Sequence, residues 1–155
     1  MPVFDFLHWV EEAGDYLHDT GPLVQVVISM PAALEEYFTK RGIEIPAPVS
    51  GWALIDTGAS STAVHEPILE QLSLIPIDSI PTATPDGTGR SFVYPVKVTF
   101  PSIQVTDYRM DRVIGSQLNW KTFDNREIIM LLGRDLLRFF LMIYNGRSSA
   151  ITLAY

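Results

Sequence analysis

The sequence contains no cysteine. That excludes disulfides, a thiolate nucleophile and every zinc site built on sulfur. It has three histidines, His8, His18 and His65. None stands at metal-ligand spacing or in an order that suits a Ser/His/Asp triad, so no metal or cofactor is implied. Basic residues are few, 11 against 18 acidic, for a net charge of −7. Without a basic stripe, nucleic acid is not an expected partner. Long hydrophobic runs are also lacking. "IIMLLG" and "LLRFFLMIY" are too short or too interrupted to span a bilayer, so no membrane partner is expected. The beginning, "MPVFDFLHWVEEAGDY", has no basic flank and does not read as a signal peptide. These absences point to a soluble, cytoplasmic protein, and the lack of cysteine fits a reducing compartment.

What the chain does have is enough apolar residue to fold. It is 47% hydrophobic and 19% charged over 155 residues, the composition of one globular domain with a substantial core. Val3, Phe6, Leu7, Val10, Ala13 and Leu17 recur at helical spacing, which predicts an amphipathic helix over 3–17. Gly21-Pro22 breaks the chain. "LVQVVIS" (23–29) reads as a strand, and "PAALEEYFTKRG" (31–42) as a helix with Pro at its start and Gly as its stop. Further strands are expected at "GWALID" (51–56) and "EIIMLLG" (127–133), and a strand pair over 103–115. Short helices are expected at "EPILEQLS" (66–73) and "RDLLRFF" (134–140). "TPDGTGR" (84–90) is the Gly-rich tip of a hairpin. Residues 141–155 form a second hairpin turning at Asn145-Gly146. Many short strands with few helices indicate an all-β barrel or sandwich.

Asp-Thr-Gly occurs twice, at Asp19-Thr20-Gly21 and at Asp56-Thr57-Gly58. In the second copy Ala53, Leu54 and Ile55 carry a carboxylate to the end of a buried strand. Gly58 leaves no side chain beside the acid, and Ala59 and Ser60 are small. A second copy of the stretch has room to approach. Two carboxylates held together share a proton, so one can activate water while the other polarises a carbonyl. The first copy has no apolar run against Asp19 and is followed by Pro22. It reads as a helix end with a Gly-Pro turn.

"LIDTGA" (54–59), followed much later by "IIMLLGRDLL" (128–137), resembles the retropepsin-like, single-lobe aspartic proteases. The resemblance runs in order over roughly residues 22–155. It implies an all-β fold: a closed acid-protease barrel with a short C-terminal helix, here with an extra N-terminal helix in an extension, 1–21. It implies an aspartic endopeptidase in which Asp56, Thr57 and Gly58 are catalytic. One Asp per chain then requires a homodimer, with Thr57 of each chain hydrogen-bonded across the axis. Ala59, Ser60, Thr84, Pro85, Asp86, Gly87, Thr88 and Gly89 would touch an extended, largely hydrophobic peptide, the last six of them on a flap. Gly133 is expected to pack on the Asp56 strand. Retroviral members pair the arginine matching Arg134 with an acid where this chain has Ser60 and Ser61, so that ion pair is either missing here or replaced by another partner such as Glu66 or Asp135. A peptide-binding dimer without catalysis is the rival reading, and a monomer that dimerises only after processing a narrower one. His65 is expected to be a satisfied histidine, His8 and His18 solvated, and Trp9, Trp52 and Trp120 core or interface aromatics. Glu11, Glu12, Glu35 and Glu36 read as solvated helix faces.

Overall fold

A computed structural model describes residues 6–10, 16–84 and 87–154. Its element order follows the turn chemistry of the sequence. Strand β1 (Phe6–Val10) and a single helical turn, α1 (Tyr16–Thr20), precede β2 (Leu23–Ser29). Helix α2 (Ala32–Arg41) leads to β3 (Val49–Ile55), β4 (Ala63–His65) and α3 (Glu66–Gln71). The hairpin β5 (Asp78–Thr84) and β6 (Gly87–Phe100) turns through residues 85–86, which lie outside the described set. A 3₁₀ turn, Pro101–Ile103, then enters β7 (Val105–Ser116). The chain ends with β8 (Trp120–Lys121), β9 (Glu127–Leu132), α4 (Arg134–Leu137), β10 (Leu141–Asn145) and β11 (Ala150–Ala154).

Six strands close into a barrel. The order β2-β3-β9-β4-β7-β6 returns to its start because β6 also pairs with β2, through Val27↔Thr99, Ile28↔Val98 and Ser29↔Lys97. Two contacts, β3–β9 and β4–β7, are parallel. Closure leaves these six strands without a long free edge. The all-β barrel expected from the sequence is therefore the observed fold. Alternation does the sorting: in β6, Val96, Val98 and Phe100 are fully buried while the residues between them are partly exposed. Val26, Ile28, Val113, Met130 and Leu132 complete the interior, and α3 adds Leu69 and Leu72. Helix α2 buries no residue completely, and ends as expected, with Gly42 left-handed at φ +64°.

Two expectations are corrected. The helix over 3–17 does not form at 6–10, where the chain pairs antiparallel with β11, from Phe6↔Ala154 to Val10↔Ala150. "FLHWV" is rich in aromatic and branched residues, and a waiting strand edge outweighs a helical spacing of apolar positions. What remains of the extra N-terminal helix among the described residues is the one turn α1. The strand pair over 103–115 is instead the single strand β7, partnered by β6. The reversal falls earlier, at the 3₁₀ turn, where Gln104 takes φ +54°.

The α1 turn is held at both ends. Leu17 N–H donates to the buried Ser149 hydroxyl at 3.1 Å. The Arg126 guanidinium lies 4.8 Å from the Tyr16 ring centre and 4.3 Å from that of Trp52, a cation stacked between two aromatics. The first Asp-Thr-Gly ends this turn as the sequence indicated. Gly21 has φ +75° and donates to Leu17 O at 3.1 Å. Pro22 O then accepts Ile55 N–H at 2.9 Å, which stitches the break to the end of β3.

Across the barrel, Tyr94 donates its hydroxyl to Glu66 Oε1 at 3.2 Å. Any side chain at Gly115 would stand 2.9 Å from the Tyr94 ring. Burial, and then the bond to Glu66 and its charge, push the Tyr94 phenol up to about 12. The unfolded chain loses this proton near pH 10 and the folded chain only near 12, so folding binds the proton and stability falls as pH rises between those values. We expect urea midpoints to decline over that interval and the Tyr94→Phe chain to lose much of the decline. Parallel declines in both chains would contradict it.

Candidate active site

Strand β3 delivers Asp56 to the barrel end. Ile55 is buried, Asp56 is half-buried, and Thr57 and Gly58 are exposed. The backbone there is fixed from β9: Asp56 N–H donates to Leu132 O at 3.0 Å. The chain then turns back on the carboxylate. Gly58 N–H donates to Asp56 Oδ1 at 2.8 Å, and Ala59 N–H to the same oxygen at 3.2 Å. A Cβ on Gly58 would lie 3.0 Å from Oδ1, so any side chain there would crowd the carboxylate it turns around. Two backbone donors thus converge on this one carboxylate oxygen. Among the described residues Oδ2 has no hydrogen-bond partner.

Helix α4 supports the loop from behind. A Cβ on Gly133 would come within 2.5 Å of the Ser61 carbonyl carbon and 2.8 Å of Thr62 N. Gly133 thus packs on the Ser61–Thr62 backbone beyond the motif, while the carbonyl of its peptide link to Leu132 accepts the Asp56 N–H at the end of β3. Its N–H donates to Thr62 Oγ1 at 3.1 Å. The fully buried Thr62 in turn donates Oγ1–H to Asp135 Oδ1 at 2.7 Å, while its N–H donates to Asp135 Oδ2 at 2.9 Å. Arg134 N–H donates to Ala59 O at 2.9 Å.

Of the two alternatives for Arg134, the ion pair is missing among the described residues, and neither Glu66 nor Asp135 replaces it. Glu66 is engaged by Tyr94 and Asp135 by Thr62. Instead Arg134 Nη1 donates to Thr57 O at 2.7 Å and Gly58 O at 2.9 Å. With serine at 60 and 61, the guanidinium turns to the carbonyls of the motif itself. The Thr62–Asp135 pair was missed by sequence reasoning. Its only signal was the aspartate following Gly133-Arg134.

The structure brings Asp56, Thr57, Gly58, Ala59 and Ser60 together in one loop. Thr84, Gly87, Thr88 and Gly89 lie on the β5–β6 hairpin, with Thr84 paired to Gly87 and Thr82 to Gly89. Pro85 and Asp86 lie outside the described residues. Beyond β6, β5 has no other strand partner among the described residues, so this hairpin projects from the barrel. His65 is satisfied structurally: its Nδ1 accepts Leu118 N–H at 3.1 Å. His18 is exposed beside Asp19. A cavity of about 550 Å³ opens next to the end of β3, lined by Leu54, Thr20, Trp120 and Phe123, with Asp19 and Lys121 among its polar walls.

Residues 45–136 match the family model of aspartyl proteases. The chain belongs to that family, and both "LIDTGA" and the Leu132-Gly133-Arg134 junction lie inside the match. Among solved structures, the Simian foamy virus (mac) protease is similar at 18% identity, over 76% of this chain and 93% of that one, with a TM-score of 0.45. A retropepsin-like aspartic protease from Rickettsia conorii is similar at 15% identity, over 86% and 92%, with a TM-score of 0.46. No functionally curated protein matches.

The close approach at Gly133 gives a direct test. Gly133→Ala should destabilise the chain by roughly 3 kcal/mol, because the methyl meets backbone that has no rotamer to escape into. Chemical denaturation measures it, and a loss under about 0.5 kcal/mol would mean that α4 and the loop are not in this contact.

Proposed function

We propose that the protein is an aspartic endopeptidase, working in the cytoplasm as a C2 homodimer in which Asp56 of each subunit forms the reacting pair. Residues 22–155 are the protease domain in this reading and 1–21 an extension. The observation that carries it is the carboxylate geometry: Asp56 stands at a barrel end with Oδ1 held by two backbone donors and Oδ2 without a partner among the described residues. One such acid per chain is half a site, and a two-fold axis supplies the other half. The paired carboxylates share one proton. The ionised one takes a proton from water as it attacks the peptide carbonyl, and the protonated one donates to the carbonyl oxygen. Thr57 and Gly58 shape the turn, with Thr57 of the two subunits meeting beneath the acids.

The surface supports association. In the sheet β1-β11-β10, strand β10 is an edge among the described residues. Its Leu141, Ile143 and Tyr144, with Phe139 just before it, are each about half exposed. An apolar edge strand is a natural site for a second copy. The β5–β6 hairpin, with Thr84, Pro85, Asp86, Gly87, Thr88 and Gly89, acts as the flap. An extended peptide lies between it and Ala59-Ser60, adding a strand to the hydrogen-bond ladder. The cavity beside Leu54, with Trp120 and Phe123 on its walls, accepts a large apolar side chain of that peptide.

The test is cleavage of a mixed peptide library by the native chain and by Asp56→Asn, with sedimentation on both. We expect the native chain to cleave beside large apolar residues and the variant to lose cleavage at least ~1,000-fold while keeping its oligomeric state. Cleavage by both chains alike would remove Asp56 from the chemistry. Cleavage by neither, in a sedimenting dimer, would favour a peptide-binding module.

A further inference from the structure

Arg134 and Asp56 sit on opposite sides of the same two peptide groups. The unit joining Thr57 to Gly58 presents its carbonyl to Arg134 Nη1 at 2.7 Å and its N–H to Asp56 Oδ1 at 2.8 Å. The next unit, Gly58 to Ala59, presents its carbonyl to Arg134 Nη1 at 2.9 Å and its N–H to Asp56 Oδ1 at 3.2 Å, the N–H being shared with the Asp56 carbonyl oxygen, also at 3.2 Å. Each peptide dipole is therefore aligned between a cation at its oxygen and a carboxylate at its hydrogen. Hydrogen bonds in such a chain polarise one another, by about 10–30% per bond, and those to charged groups are the stronger kind.

We propose that Arg134 is a positioning residue that acts on Asp56 through these two peptide groups. It turns both N–H groups onto Oδ1, strengthens them as donors, and so leaves Oδ2 as the oxygen that meets water or substrate. The guanidinium is free for this task because it has no carboxylate partner among the described residues: Glu66 and Asp135 are engaged elsewhere, and positions 60 and 61 are serine. Lysine is an incomplete substitute, since a rotating ammonium on a flexible stem does not reproduce the fixed planar Nη1 that donates to both carbonyls. The inference rests on Asp56 being the reacting carboxylate.

The amide protons of Gly58 and Ala59 report the relay directly, in a ¹⁵N–¹H spectrum of the full chain. In Arg134→Met both should move upfield, as expected of weakened donors. Arg134→Lys should move them part of the way. Arg138→Met, which removes the same charge one turn further on, should leave them in place. In parallel, kcat on a cleavable peptide should fall roughly 10- to 100-fold in Arg134→Met with KM little changed, and recover partly in Arg134→Lys. Unmoved Gly58 and Ala59 protons in a folded Arg134→Met chain overturn the proposal, as does an equal displacement by Arg138→Met. Should Arg134→Met not fold, Arg134→Lys carries the same test, and unmoved protons there overturn it. The amide readout needs no turnover. A native chain that cleaves nothing refutes the protease reading, with the amide shifts still deciding the relay. Cleavage with unmoved amides refutes the relay alone.

Discussion

The contact between Gly133 and the Ser61–Thr62 backbone is the constraint on which the site depends. A missing side chain lets α4 approach the loop until only backbone separates them. Every other clamp requires that closeness. Thr62 reaches Asp135 with both its N–H and its hydroxyl, Arg134 N–H reaches Ala59 O, and the Arg134 side chain reaches Thr57 and Gly58. The loop carrying Asp56 is thus gripped along its length by one short helix. A four-residue helix has little stability of its own. It holds because Leu136 is buried in the core and because its first turn is spent on the loop. Loop and helix order each other.

The two Asp-Thr-Gly copies show why a tripeptide is not a site. Asp19 lies at the end of a single helical turn, its carboxylate 2.8 Å from the exposed His18 ring. Among the described residues no backbone donor converges on it, and Gly21 serves to reverse the chain. Asp56 has the same neighbours in sequence and the opposite surroundings. Its strand turns Ala53 and Ile55 into the core, its own N–H is anchored to β9, and two successive N–H groups fold back onto one oxygen. What distinguishes the copies is the second segment, Leu132 to Asp135, which only one of them meets.

That contrast also marks what was legible in the sequence. The apolar run before Asp56, the small residues after it and the late Leu-Leu-Gly-Arg-Asp element are local patterns, and each became the element it indicated. So did the paired strands of the two hairpins, β5–β6 and β10–β11, and the Gly42 stop of α2. The misreadings are all non-local. Residues 6–10 have a helical spacing of apolar positions, but their fate was decided by the free edge of β11 at the far end of the chain. Residues 103–115 alternate as strands do, yet their partner is β6 and not themselves. The partners of Arg134 could not be reached by seeking an acid, because its acceptors are carbonyl oxygens, which every residue carries. Thr62 and Asp135 are 73 positions apart, and nothing in either residue type announces the pairing.

The placement of β10 ties association to the order of the site. Only Arg138, Phe139 and Phe140 separate α4 from β10, and Arg138 N–H still closes on Arg134 O. The same short segment therefore grips the Asp56 loop at one end and offers an apolar edge strand at the other. On the two-fold reading, docking of β10 against a second copy lowers the freedom of α4, and α4 orders the loop it holds. Order gained at the loop in turn lowers the cost of association, since coupling between two events on one segment is reciprocal. A carboxylate that is inert alone is then presented in its reactive arrangement by the event that supplies its partner. On that proposed reading, this linkage gives half a site a physical reason for remaining inactive until it pairs.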